Sequence, residues 1–96
     1  MIYNGKIKKF YLGTSDYGRV STYVDVECGD GTYQGFGPYM PGDKLGKFVT
    51  RVLDISEAGS WDQVVGKPIR IDREDGLIVG IGHYINNDWF YPRSDL

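Results

Sequence analysis

The chain has 96 residues, of which 41% are hydrophobic and 25% charged, and a formal net charge of −2. That length makes one domain, 1–96, and the negative balance argues against a non-specific nucleic-acid binder, which needs a basic face. A single cysteine, Cys28, excludes an intrachain disulfide. No run approaches transmembrane length, so no membrane association is expected, and the start lacks the apolar segment of a signal peptide.

The unusual features are 14 Gly and eight Tyr. Together they favour a β-rich fold with many turns, and Tyr supplies contact area at low entropy cost. Residues 5–13 read as a first strand. Ile7 and Tyr11 share one parity, Phe10 and Leu12 the other, and a bulge near Lys8–Lys9 reconciles them. Residues 14–18 have turn chemistry, with Asp16 and Gly18. Residues 19–28 alternate cleanly, with Val20, Thr22, Val24, Val26 and Cys28 on one face of a half-buried antiparallel strand.

Gly29-Asp30-Gly31 signals a tight hairpin into a third strand over 32–37, which Pro38 and Pro41 end. Asp43 has the chemistry of an N-cap for a helix over 44–58. Leu45, Phe48, Val49, Val52 and Leu53 make its apolar stripe, and Gly59 is the expected residue just past its end. Ser60 to Gln63 resembles a capping box opening one short turn, with Trp61 plugging the helix end.

Ile69–Asp72 reads as a fourth strand, residues 73–76 as a hairpin turn, and Leu77–Ile85 as a fifth strand. On that strand Leu77, Val79, Ile81, His83 and Ile85 share a face, while Gly80 and Gly82 open the other to a close approach. The tail, with Trp89, Phe90 and Tyr91, is too aromatic to be loose and is expected to dock back or pair with another chain. The order β-β-β-α-β-β predicts an α+β fold: a mainly antiparallel sheet packed on one amphipathic helix.

The stretch from Gly29 to Gly42 attracts attention as a site. Gly35 and Gly37 flank Phe36, and glycine in a strand marks a bulge or a close approach. The candidate ligand-binding residues are Arg19, Tyr33, Phe36, Tyr39, Arg70, His83 and Trp89, with Tyr17 and Tyr84 as further aromatics. Aromatic faces stack on rings and Arg forks hold phosphate, but the same residue types make protein–protein hot spots. His83 is the one histidine, with either a paired structural role or a hydrogen-bonding role in a pocket. Neither a cofactor, a metal nor a catalytic residue is expected, because the chain has no CxxC pair, no phosphate-loop ending and no second histidine. Lys6, Lys8 and Lys9 form a small basic cluster, expected on an edge strand where Lys deters aggregation.

The chain resembles a family of small uncharacterised proteins encoded by bacteriophages and prophages. The resemblance rests on Leu12-Gly13 with Asp16 and Gly18, on Gln34-Gly35-Phe36-Gly37 with Tyr39, and on Phe48 with Val52-Leu53. It continues through Trp61, Gly66-Lys67 with Arg70, Ile81-Gly82-His83 and Asp88-Trp89-Phe90 with Pro92. Where that family usually has Gly-Gly-Tyr this chain has Gly37-Pro38-Tyr39, and Pro38 removes a backbone donor. The resemblance implies a viral origin and the host cytoplasm as the location. By analogy with small phage proteins that lack catalytic apparatus, it suggests a counter-defence factor. The expected function is non-enzymatic sequestration of a small nucleotide-like immune signal, as a homo-oligomer. The alternative is a protein-interaction inhibitor of a host defence protein, such as an anti-CRISPR factor.

Overall fold

The structure, a computed structural model, describes residues 1–14, 18–37 and 42–96. Among the described residues there are six strands: β1 (Ile2–Thr14), β2 (Val20–Glu27), β3 (Tyr33–Phe36), β4 (Pro68–Glu74), β5 (Leu77–Gly82) and β6 (Trp89–Phe90). Helix α1 (Gly42–Ser56) and a 3-10 turn (Trp61–Val64) lie between β3 and β4, and a four-residue helix α2 (Pro92–Asp95) follows β6. All strand pairs are antiparallel, in the order β3-β2-β1-β4-β5-β6. The α+β architecture is therefore the one that the alternation and the single apolar stripe predict.

The long strand β1 organises the sheet. Its first part, residues 2–6, pairs with β4, and residues 6–14 pair with β2. The register slips between Ile7 and Lys9, so Lys8 is the extra residue of a bulge. The slip sets Ile7, Phe10 and Leu12 opposite Val26, Val24 and Thr22, on one face, as the broken alternation requires. The edge expectation holds only in part: β1 is an inner strand and Lys6 has strand partners on both sides, but Lys8 and Lys9 lie beyond the reach of β4, where β1 has β2 alone.

The sheet curls until β3 stands beside β5. The Gln34 side chain closes the seam: its Nε2 donates to Gly76 O (2.8 Å) and its Oε1 accepts from Ile78 N (2.6 Å). An amide side chain thus stands in for two ladder bonds that the strand backbones do not make. The circuit β1-β2-β3-β5-β4-β1, with a helix between the third and fourth strands, describes a five-stranded, partly open barrel of OB type.

Helix α1 plugs the barrel. Phe48, Val52 and Ile55 are fully buried against Ile7, Val24, Val26, Ile69, Ile71 and Ile81 from the wall. Phe48 is the hub, with ring centroids 5.7 Å from Phe36, 5.9 Å from Phe90 and 6.4 Å from Trp61. Such tilted pairs add about 0.5–1.5 kcal/mol each beyond burial. The helix starts before Asp43, whose charge sits in the first turn rather than at a cap.

The helix also stops earlier than Gly59. Glu57 takes the left-handed conformation (φ 56°), with Ala58 N bonded to Leu53 O (3.1 Å) and Glu57 N to Asp54 O (3.3 Å). A left-handed non-glycine costs about 1–2 kcal/mol. The Glu57 carboxylate offsets this by accepting from buried His83, at 2.6 Å from Nε2. The expected capping box is not made: Ser60 turns its hydroxyl to Asp62 (2.6 Å), and Gln63 reaches one residue too far back, accepting from Gly59 N (3.1 Å) instead of Ser60 N.

Two further expectations are corrected on β5. A register slip opposite Asp72/Arg73 makes Val79 the extra residue, so Ile78 packs inward and Leu77 and Val79 point out. The strand also ends at Gly82, because His83 turns the chain back to form β6. The aromatic tail docks on its own domain, with Phe90 buried and Trp89 paired with Gly82.

Candidate functional site

The seven residues singled out from the sequence do not converge. Phe36 is 4% exposed and wedged among Phe48 and Phe90, so it is core and no ligand stacks on it. Tyr39, with Tyr17, Pro38 and Pro41, lies outside the described residues. Arg19 is exposed at the start of β2, whereas Tyr33 pairs with Glu27 at its other end, about 25 Å away at strand rise.

Arg70, His83 and Trp89 do meet, but around a structural turn. Arg70 donates from Nε to His83 O (2.8 Å) and from Nη2 to Asn86 O (2.7 Å), and its guanidinium lies 5.0 Å over the Trp89 ring. His83 Nδ1 accepts from Ile85 N (3.1 Å) and Asn86 N (3.0 Å), so the ring proton sits on Nε2 and goes to Glu57. Both nitrogens are occupied. Gly82 and Gly80 leave room for the Trp89 and Tyr91 rings, which stack at 6.0 Å. The close approach predicted for these glycines is made by the chain's own tail.

The glycine of β3 behaves otherwise. On the outer wall Lys9, Asp25 and Gly35 form one row across β1, β2 and β3. Among the described residues a Cβ placed on Gly35 meets nothing nearer than Asp25 Oδ1 at 3.6 Å and Tyr23 at 4.0 Å. The missing side chain leaves a notch of about 410 Å³, lined by Lys8, Lys9, Asp25, Tyr33, Gln34 and Gly35. That volume falls within the usual range for ligand sites, about 300–1,000 Å³. Tyr33, 61% exposed, offers its ring at one side. The Tyr11 and Tyr23 rings, 5.1 Å apart, continue the aromatic surface along the wall.

The local sequence explains the geometry. The bulge sets Lys8 and Lys9 side by side at the notch instead of on opposite faces. The β2–β3 turn is stiffened by Asp30, whose Oδ1 accepts from the Thr32 hydroxyl (2.5 Å) and amide (3.0 Å), while Oδ2 accepts from Arg73 Nη1 (3.1 Å). Those Thr32 bonds first, then Arg73, hold the Asp30 carboxyl down at about 2. Tyr33 therefore leaves a fixed turn. Lys9 pairs with Asp25 at 3.6 Å, and Lys8 makes no ion pair among the described residues, so the notch carries a surplus positive charge.

A larger groove of about 650 Å³ runs between α1 and the C-terminal turn, lined by Lys47, Thr50, Arg51 and Leu96 among others. It presents no aromatic ring, and Arg51 is already bonded to Asp88 (2.8 Å), so it has less to recognise a ligand with. Among the described residues no group of three His, Cys, Asp or Glu is placed to hold a metal, and no helix is long and apolar enough to cross a membrane. Cys28 is buried, its Sγ 3.7 Å from Val26 O.

Lys8, Lys9 and Asp25 were missed from the sequence as site residues. The bulge inferred from the broken alternation was the available signal, since a bulge re-aims side chains. Comparison with protein-family models, curated proteins and solved structures returns no match to this chain.

Proposed function

We propose that the chain is a non-catalytic binding protein of phage origin that sequesters a small nucleotide-like signal in the host cytoplasm as a counter-defence factor. The observation that supports it is the Gly35 notch: an open floor, the Tyr33 ring for stacking, two lysines for phosphate, and Asp25 to accept from a ring amine or a ribose hydroxyl. In barrels of OB type the second and third strands often carry the ligand face, an analogy at the level of fold alone. Of the residues first singled out, Tyr33 is the one that this reading keeps in contact with ligand. A surplus of one charge suits a small anion better than a long polyanion, whose binding needs many phosphate contacts.

The test is to purify the protein from infected cells, read its mass in solution, release bound molecules by heat and identify them by mass spectrometry. Titration with AMP, cyclic AMP and cyclic di-AMP then follows on wild type and Gly35→Val. A released nucleotide, bound by wild type and lost at least tenfold in a folded Gly35→Val, is the expected result. Equal binding by that variant, or no nucleotide at all, overturns the reading. The solution mass tests the homo-oligomer.

A second reading, block of a host defence protein, is favoured by apolar side chains exposed away from the notch: Phe10, Leu12 and Val20 at the far end of the β1–β2 hairpin, and Tyr84 with Ile85 beyond β5.

A further inference from the structure

Residues 83–88 connect β5 to β6 without regular structure, yet the backbone of His83 and Asn86, the Ile85 amide and the Asp88 carbonyl are all held. His83 N donates to Asp88 O (2.9 Å), and the His83 ring accepts from Ile85 N and Asn86 N. Arg70 from β4 caps His83 O and Asn86 O. Glu57 from the end of α1 holds the His83 ring, and Arg51 from α1 holds the Asp88 carboxylate at 2.8 Å. Side chains from two other elements thus lock a turn whose tip is fully outside. That tip carries Tyr84, 46% exposed and stacked on the His83 ring at 5.2 Å, and Ile85, 68% exposed.

An isoleucine displayed on a locked turn gains nothing for this fold. It is the arrangement that lowers the ordering cost of association. We propose that the 83–88 turn is a pre-formed epitope that seats Tyr84 and Ile85 in an apolar cleft of a protein partner with Lys or Arg at its rim. The charge preference follows from the surroundings. Three carboxylates, Glu57 (64% exposed) beside the His83 ring and Asp54 and Asp88 on Arg51, outnumber the two guanidiniums at the turn, Arg51 and Arg70. Basic groups at the cleft rim meet these carboxylates and steer the encounter. This inference rests on the protein-partner reading and names the partner's chemistry.

A photo-crosslinking phenylalanine analogue replaces Tyr84 in one variant and Leu12 in another, each expressed in host cells. The expected result is a host-protein adduct from position 84 that Ile85→Asp abolishes and Gly35→Val does not. The purified partner then binds wild type at least tenfold more tightly than Ile85→Asp, with an association rate that falls as salt rises. Ile85→Asp keeps the backbone bond from residue 85, and an unchanged melting temperature confirms its fold. An adduct that survives Ile85→Asp, or one formed from position 12 alone, overturns the epitope and leaves the protein-partner reading standing. An adduct with a second copy of this chain also overturns it. No adduct from either position overturns both.

Discussion

Gly35 on β3 and Gly80 and Gly82 on β5 sit on the same outer wall of one barrel, and they do different work. A Cβ on Gly82 meets the Trp89 ring at 2.6 Å, and one on Gly80 meets Tyr91 at 2.6 Å, whereas one on Gly35 meets, among the described residues, only Asp25 Oδ1 at 3.6 Å and Tyr23 at 4.0 Å, ordinary contact distances. Both sites follow the rule that a strand glycine permits a close approach. The β5 pair is filled by an aromatic tail seven to eleven residues further along the chain. Among the described residues no such tail fills the β3 site. Gly37 adds a third case, since it makes room for the hub of the core: its Cβ would lie 2.2 Å from Phe48, at φ +98°. Space left by a glycine points to a ligand only where the chain does not occupy it.

Substitution at these positions can break the comparison. The largest effect is expected from Gly37→Ala, which combines left-handed strain with a clash against a packed ring. Each contributes about 1–3 kcal/mol, so the loss is about 4 kcal/mol, read as a shift of the urea midpoint. A midpoint near wild type would mean that Phe48 is not the hub. Gly82→Ala should cost less, about 2 kcal/mol, because an edge segment rather than the core must yield. Its signature is a change in Trp89 fluorescence before global unfolding, and an unaltered spectrum would remove Trp89 from its seat.

A smaller effect concerns the turn that aims Tyr33. The Asp30 carboxyl titrates near 2 in the fold, below its ordinary value of 3.8, so its contribution to stability is complete above about pH 4 and lost as pH falls through about 2. Asp30→Asn should lower stability at pH 7 and flatten the acid limb between pH 4 and 2. An acid limb identical to wild type refutes the role given to Thr32 and Arg73. The smallest effect on stability is expected at the open site. Gly35→Val should stay within about 0.5 kcal/mol of wild type, as surface changes usually do, while its branched side chain projects into the notch from its floor. If that variant unfolds, Gly35 belongs with Gly37 and the notch is only packing.

Much of the architecture was legible from local pattern. The strict alternation of β2, the Phe48, Val52 and Leu53 part of the helical stripe and the bulge at Lys8–Lys9 follow from period and turn chemistry, whereas Leu45 and Val49 stay outside the core and Ile55 enters it. The Val79 bulge escaped notice because Leu77, Val79 and Ile81 alternate without a break. Nothing in the strand itself shows that Ile78 replaces Val79 on the inner face. Glu57 escaped as the helix end because a glycine stood two residues further on, and the partner that stabilises its left-handed turn, His83, is 26 residues away.

The site was legible only in part. Gly35 and Tyr33 stand together in the sequence, and they remain together in the notch. Arg70 and Trp89 carried the right chemistry, but they spend it on each other and on the His83 turn. Composition cannot distinguish an arginine held by carbonyls from one that awaits phosphate.

What the sequence alone determined is the class of fold and the elements, because hydrophobic period, capping residues and turn glycines act over a few residues. Only the tertiary structure decided which surfaces were left over. Curling the sheet brought β3 against β5 and buried Phe36, the returning tail covered Gly80 and Gly82, and Lys8, Lys9 and Asp25 met at Gly35. Those outcomes depend on contacts between residues far apart in the chain, where burial of one group settles the exposure of another.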